Sequence, residues 1–133
     1  MEYKSSNRIL PASSDAMTRA LAILGNGGLV AVPTETVYGL AAMIDNEQSI
    51  KQVFMTKERP FFDPLIVHVT GIEQAKKYSQ SWNELSNILA ESFWPGPLTI
   101  IMPKNKNLVS DLITSGLNTV GLRCPTHPLT LEL

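Results

Sequence analysis

The sequence predicts an α/β fold in which helices flank a mixed β-sheet. Helical patterns of apolar residues alternate along the chain with short apolar runs rich in β-branched residues, and glycine or proline separates most of them. This alternation is typical of a sheet covered by helices, and we expect some antiparallel pairing in it. With 133 residues, of which 44% are hydrophobic, the chain has the size and composition of one globular domain.

The first unit is a helix followed by a strand. Residues 13–15 offer N-caps, and apolar residues from Met17 to Leu24 recur with the helical period. Glycines after Leu24 end the helix, and residues 29–32 predict a buried strand. Because residues 1–12 lack a period, we predict that they form a tether or an edge strand and that the domain comprises residues 13–133.

The middle of the chain predicts a second helix and a second buried strand. Asp45 or Asn46 can cap a helix that buries Phe54 and ends at Pro60. Residues 65–69 are mostly β-branched, and they stop at a threonine-glycine pair. This run is a strong strand signal.

A third helix and two more strands follow. Ser81 and Glu84 have the spacing of a capping box, and the helix after them should direct Leu85 and Ile88 inward. Residues 98–102 and 119–123 predict strands.

The last residues predict the start of another helix. Pro128 suits a first helical position, and the sequence stops about one turn later. We therefore expect the C-terminal part of the domain to be missing from this chain.

Composition narrows the function classes. Cys124 is the only cysteine, so no disulfide forms within the chain, and we interpret the protein as cytoplasmic. No run of about 18 apolar residues occurs, which argues against a membrane partner. The formal net charge of −1 gives no overall basic surface for a phosphate backbone, so any RNA contact needs a local patch. Lys104 and the other paired lysines are expected to be solvated.

Lys57 and Arg59 form a first candidate site, because they stand two residues apart just before Pro60. If the chain extends there, the two cations can converge on phosphates, lysine as a point charge and arginine as a fork. The alternative is that they complement the dipole at a helix C-terminus.

Polar residues follow the first predicted strand. Thr34 and Thr36 come where the carboxyl end of a strand holds ligands in open α/β sheets. Spacing alone favours equally a turn whose threonines satisfy their own backbone.

His68 and Arg123 lie within or at the end of predicted strands. His68 is a core histidine unless it faces the threonine-rich loop, and no second histidine or cysteine pair accompanies it, so we predict no protein-built metal site. Arg123 needs an anion, since an unpaired guanidinium there costs too much desolvation. A carboxylate of this chain and a substrate carboxylate remain equally open.

Five motif blocks occur in an order that resembles the YrdC-type threonylcarbamoyl-AMP synthases. The blocks are residues 33–40 (PTETVYGL), 57–60 (KERP), 64–68 (PLIVH), 93–99 (FWPGPLT) and 120–123 (VGLR) with His127 and Pro128. The similarity spans residues 16–133, and five ordered blocks are far more specific than any one of them.

The resemblance implies a twisted YrdC-like α/β fold with a positively lined cavity, and an enzyme that makes threonylcarbamoyl-AMP and pyrophosphate from L-threonine, bicarbonate and ATP. Magnesium would enter with ATP, and the product would pass to the tRNA threonylcarbamoyl-transfer machinery. By motif match, Thr34, Thr36, His68 and Arg123 would bind threonine. Lys57, Arg59, Asp63 and Thr119 would bind ATP, with Lys57 and Arg59 as the catalytic cations.

The alternative function is an RNA-binding module of the same fold without catalysis. The resemblance also implies a serine-x-asparagine motif after the block of His127 and Pro128, which completes both substrate sites in the family, and this chain ends before it.

Overall fold

Six helices and five short strands alternate along residues 9–133, the part of the chain that the computed structural model describes. The helices are α1 (Ser14–Gly25), α2 (Glu47–Thr56), α3 (Ile72–Tyr78), α4 (Glu84–Phe93), α5 (Asp111–Thr114) and α6 (Pro128–Glu132). The strands are β1 (Val30–Val32), β2 (Gly39–Ala41), β3 (Ile66–His68), β4 (Ile100–Pro103) and β5 (Thr119–Arg123). Most of the tether or edge strand expected at residues 1–12 lies outside the described residues.

The strands form two sheets. β1 and β2 make an antiparallel pair, and β5 lies between β3 and β4 in a three-stranded sheet. β3 runs parallel to β5, whereas β4 runs antiparallel to it. The mixed pairing predicted from the sequence is confirmed, and the parallel pair brings the carboxyl ends of β3 and β5 to the same edge.

The core covers one face of the three-stranded sheet. Val67, Val120 and Leu122 point to that face and are at most 7% exposed, while Phe54 of α2 is 1% exposed and stacks on Phe61 with ring centroids 4.9 Å apart. Strand residues alternate between faces, so the neighbours of these residues lie on the opposite side. We call that opposite side the open face; it presents Ile66, His68, Ile101, Thr119 and Gly121.

Of three predicted helix caps, two are confirmed and one is wrong. Ser13 caps α1 and Asn46 caps α2, each accepting a bond from a backbone N–H of the first turn. The predicted capping box at Ser81 does not form, because Asn83 is the N-cap of α4 and its side chain accepts from the backbone N–H of Ser86 at 2.8 Å.

The expected inward face of α4 was also wrong. Leu85 and Ile88 are 65% and 52% exposed, and the helix instead buries Ser86 and Ala90. The small side chains let α4 approach the sheet closely, and Ser86 Oγ lies 3.0 Å from Met102 Sδ. The apolar period fits either of two neighbouring helical faces, and only the packing partner selects one.

β1 is not the buried strand that was predicted. Val30 and Val32 are half-buried and Ala31 is exposed, because β1 pairs with β2 alone in a two-stranded sheet. The apolar run predicts a strand but not how much of the protein covers it.

Lys104 is buried rather than solvated, with a side chain 2% exposed. Its Nζ lies 2.5 Å from Asp111 Oδ1 and 2.7 Å from Thr114 Oγ1, both on α5. A buried ammonium requires such partners, and the lysine lowers the pKa of Asp111 in return. This contact ties the short helix α5, which the sequence did not predict, to the end of β4. None of the helices in the described part of the chain is long and apolar enough to cross a membrane.

Candidate functional site

The polar cluster of the molecule lies where β3 and β5 end. Arg123, the last residue of β5, pairs in register with His68, the last residue of β3. The loop between β1 and β2 crosses this edge and brings Glu35 and Thr36 to the arginine. The cluster therefore forms at the carboxyl ends of two parallel strands, where open α/β sheets bind ligands.

Within residues 9–133, partners hold Arg123 through one of its three guanidinium nitrogens. Its Nη2 donates to Glu35 Oε1 and also to Thr36 Oγ1, the latter at 3.1 Å. The side chain is 11% exposed, and its buried Nε has no partner among the described residues. A guanidinium carries five donor hydrogens, so most of its hydrogen-bonding capacity is unused.

Glu35 is a member of this site that the sequence analysis missed. Its Oε2 accepts from the backbone N–H and the hydroxyl of Thr126, at 2.8 and 3.1 Å. Burial raises the pKa of Glu35. Hydrogen bonds from Thr126, from its own backbone N–H and from Arg123 outweigh that effect and lower the pKa to about 2. The carboxylate is therefore ionised at neutral pH. The sequence indicated only that Arg123 needs an anion, and the structure shows that a carboxylate of the chain itself pairs with it.

Thr34 organises the β1–β2 loop. Its Oγ1 donates to the carbonyl of Val37 at 2.5 Å and accepts from the backbone N–H groups of Thr36 and Val37. Thr36 Oγ1 lies 3.1 Å from it and reaches Arg123 as well. The alternative of a self-satisfied turn is observed at Thr34, while Thr36 joins the polar cluster. Ligand binding by either threonine remains a prediction.

His68 is not a core residue. Its side chain lies on the open face and is exposed, whereas its neighbours Val67 and Val69 are buried on the other side. The protein atoms around the ring and the positive charge of Arg123 lower its pKa, against smaller opposing effects. The imidazole is therefore neutral at pH 7 and able to accept a hydrogen bond at one nitrogen.

The predicted phosphate-binding residues stand at the other end of β3. Lys57 is the exposed C-cap of α2, and Glu58 after it has a φ of 51°, so the chain turns left-handed rather than extending. Arg59 bends back, lying 3.2 Å from Asp63 Oδ1 and 2.8 Å from the carbonyl of Pro64. Arg59 and Asp63 are thus paired with each other, and their role toward a nucleotide remains a prediction.

Thr119 marks the same end of the sheet as the Lys57–Pro64 loop. It begins β5 and is exposed, opposite Pro103 of β4. Thr119, Gly121 and Arg123 share one side of the strand, and at about 3.3 Å per residue the two ends lie ~13 Å apart. The residues predicted to bind L-threonine thus lie at one end of the open face, and the residues predicted to bind ATP lie at the other.

Gly121 forms the floor between the two ends. It pairs with Ile66 on one side and with Ile101 on the other, and both isoleucines are exposed. The absence of a side chain leaves a trough between them. A separate concavity of ≈ 570 Å³, lined by Phe61, Asp111 and others, contains none of the predicted site residues. Chemistry rather than volume therefore identifies the Arg123 cluster as the candidate site.

The fold and the cluster together define an α/β domain with a buried, partly paired arginine where two parallel strands end. A family profile described as telomere recombination and named for Sua5, YciO and YrdC matches residues 22–133. The chain belongs to this family, and the resemblance seen in the motifs is confirmed.

Individual relatives agree with this assignment. The threonylcarbamoyl-AMP synthase of Pyrococcus abyssi is 44% identical over 114 residues, which are 86% of this chain and 33% of that protein. The enzyme of the same name from Bacillus subtilis is 40% identical over 124 residues, covering 93% of this chain and 36% of its own length. The crystal structure of P. abyssi Sua5 complexed with L-threonine matches at a TM-score of 0.87 and 40% identity, over 92% of this chain and 36% of that one.

The match to this crystal structure confirms the predicted α/β fold. This chain spans about a third of the length of the P. abyssi and B. subtilis proteins.

Proposed function

We propose that the protein carrying this chain joins L-threonine, bicarbonate and ATP into threonylcarbamoyl-AMP and releases pyrophosphate and water. The observation that carries the proposal is Arg123, a buried guanidinium beside His68 at one end of the open face. The described residues pair it at one nitrogen only. An amino-acid carboxylate matches the fork of such a group. The threonine bound in the P. abyssi structure supports this choice of amino acid.

At the Arg123 end, the substrate's amine must lose a proton before it takes up carbon from bicarbonate. His68 is suited to accept that hydrogen bond or proton, because its lowered pKa keeps the imidazole neutral. Thr36 offers a hydroxyl beside the same arginine. Thr34 reaches the amino acid only if it gives up a bond within its own turn.

The carbamate then attacks the α-phosphorus of ATP, whose phosphates extend toward the other end of the open face. Negative charge grows on the phosphoryl oxygens, and fixed cations stabilise it. We assign this role to Lys57 and Arg59, with the phosphates displacing Asp63 from its pairing with Arg59. Thr119 lies at this end and offers a hydroxyl to the nucleotide. Magnesium enters as part of the substrate, held by the phosphates of ATP.

The product is a carbamoyl group activated by an AMP leaving group. We propose that it is consumed in the cytoplasm by a tRNA threonylcarbamoyl-transfer machinery. Direct contact of this chain with RNA stays a prediction.

The decisive experiment measures pyrophosphate release from ATP by the purified protein, with threonine or bicarbonate left out in turn. Release should require both, and Arg123→Lys, which keeps the charge but loses the fork, should lower kcat/KM for threonine by about tenfold or more. Arg19→Lys, on the exposed side of α1, is the matched control and should leave the rate unchanged. Release that continues without threonine would overturn the proposal.

A further inference from the structure

Glu35 joins its own loop to two nearby points that lie 88 and 91 positions later in the chain. It belongs to the β1–β2 loop, its Oε1 meets Arg123 at the end of β5, and its Oε2 meets Thr126 in the segment before α6. A second bond supports the same junction, since the hydroxyl of Thr130 in α6 donates to the carbonyl of Pro33. The carboxylate therefore sits in a framework with little freedom to move.

That framework prevents Glu35 from saturating the arginine. A carboxylate and a guanidinium prefer two parallel bonds, which would use the Nε of Arg123 as well as one Nη. Here Oε2 is already occupied by two donors from Thr126, so only Oε1 reaches the guanidinium. The Nε of Arg123 consequently stays buried without a partner in the described residues, and the bonds to Glu35 and Thr36 both use Nη2.

We infer that Glu35 is a positioning residue that fixes the guanidinium of Arg123 for the carboxylate of the amino-acid substrate without competing for it. The inference rests on the proposed function and extends it to a residue outside the predicted set. Thr126 is its counterpart: by holding Oε2, it keeps Glu35 from closing a bidentate pair. The specificity for a carboxylate then depends on the whole Arg123–Glu35–Thr126 arrangement.

Removing Glu35 distinguishes positioning of the arginine from simple neutralisation of its charge. If Glu35 only neutralised Arg123, its removal would leave a stronger positive site and a substrate anion would bind more tightly. If Glu35 positions the arginine, its removal frees the guanidinium to reorient and the carboxylate binds less well. The two accounts thus predict opposite changes for one substitution.

The experiment compares L-threonine with L-threoninamide, which lacks the carboxylate charge, as substrate or competitive ligand of the purified protein. Glu35→Gln should raise KM for threonine by about tenfold or more with kcat changed much less, since a charge-assisted bond is lost. The preference for threonine over its amide should fall by a similar factor. Glu73→Gln is the control, because it removes an exposed carboxylate paired with Lys76 outside the site.

A second variant guards against loss of folding. Thr126→Val removes one of the two donors that hold Oε2 while keeping the backbone bond, and it should lower the same preference by a smaller factor. Global destabilisation would weaken both ligands alike and leave their ratio unchanged. An unchanged ratio in both variants, or tighter threonine binding by Glu35→Gln, would overturn the inference. Failure of the unsubstituted protein to distinguish threonine from its amide would instead count against the proposed function.

Discussion

Adding a single methyl group at Gly121 tests whether the open face is the floor of the substrate site. An ideal Cβ at this position lies 3.1 Å from Thr99 Cγ2, 3.5 Å from Ile101 Cδ1 and 3.7 Å from Ile66 Cγ1. Only the first contact is tight, and it involves a side-chain methyl that can shift by a few tenths of an ångström. The backbone adds no strain, because the φ of Gly121 lies outside the left-handed region.

The expected effect of Gly121→Ala on stability is therefore small. Replacing a strand glycine gains roughly 0.5–1 kcal/mol, because the unfolded chain loses conformational freedom. The contact with Thr99 offsets part of that gain, so the free energy of unfolding should change by less than about 1 kcal/mol in either direction. The same methyl group occupies the trough between Ile66 and Ile101, and it should raise KM for ATP or threonine by about tenfold or more through displacement of the bound substrates.

Urea unfolding and pyrophosphate release measured on the same preparations separate the two effects. Gly25→Ala is the matched control, since its added Cβ meets nothing within 4 Å at the end of α1. It should leave KM unchanged. A folded Gly121→Ala protein with normal KM and kcat would show that the substrates do not lie on this face, and the assignment of its two ends would then be wrong.

Three further predictions concern the two ends of the site. Replacing Lys57 or Arg59 by alanine should lower kcat/KM for ATP at least ~30-fold, as expected for about 2 kcal/mol of lost transition-state stabilisation; unchanged pyrophosphate release would contradict this. Calorimetry should show a larger loss of affinity for valine, which lacks the hydroxyl of threonine, than for serine, which lacks the methyl; equal affinity for threonine and valine would contradict a site that pairs the hydroxyl. Burial raises the pKa of Glu35, but the hydrogen bonds to its carboxylate outweigh this effect and lower the pKa from 4.5 to about 2. The contribution of Glu35 to stability is therefore complete above pH 4.5 and is lost as the pH falls toward 2. The free energy of unfolding, measured with urea, should consequently fall more steeply with decreasing pH in the wild type than in Glu35→Gln. Glu73→Gln is the control and should behave like the wild type. Parallel pH dependences of the wild type and Glu35→Gln would exclude this linkage.

The sequence by itself determined most of the helices and strands, and it determined the family. Ser13 and Asn46 cap their helices because an N-cap bond spans only three residues, and β-branched runs form β3 and β5 because local sterics favour extended chain there. The five motif blocks identified the family because their order survives without any knowledge of contacts. The sequence also identified Arg123 as a candidate site residue, since a guanidinium at a strand's end needs an anion.

Only the tertiary structure decided which groups meet. Glu35 and Arg123 stand 88 positions apart, and no local pattern distinguishes that carboxylate from the others in the chain. The same holds for Lys104, whose burial depends on where α5 packs, and for α4, whose exposed Leu85 satisfies the helical period as well as a buried residue would. Periodicity and capping arise from neighbours along the chain, whereas pairing and burial depend on the long-range packing that brings distant segments together.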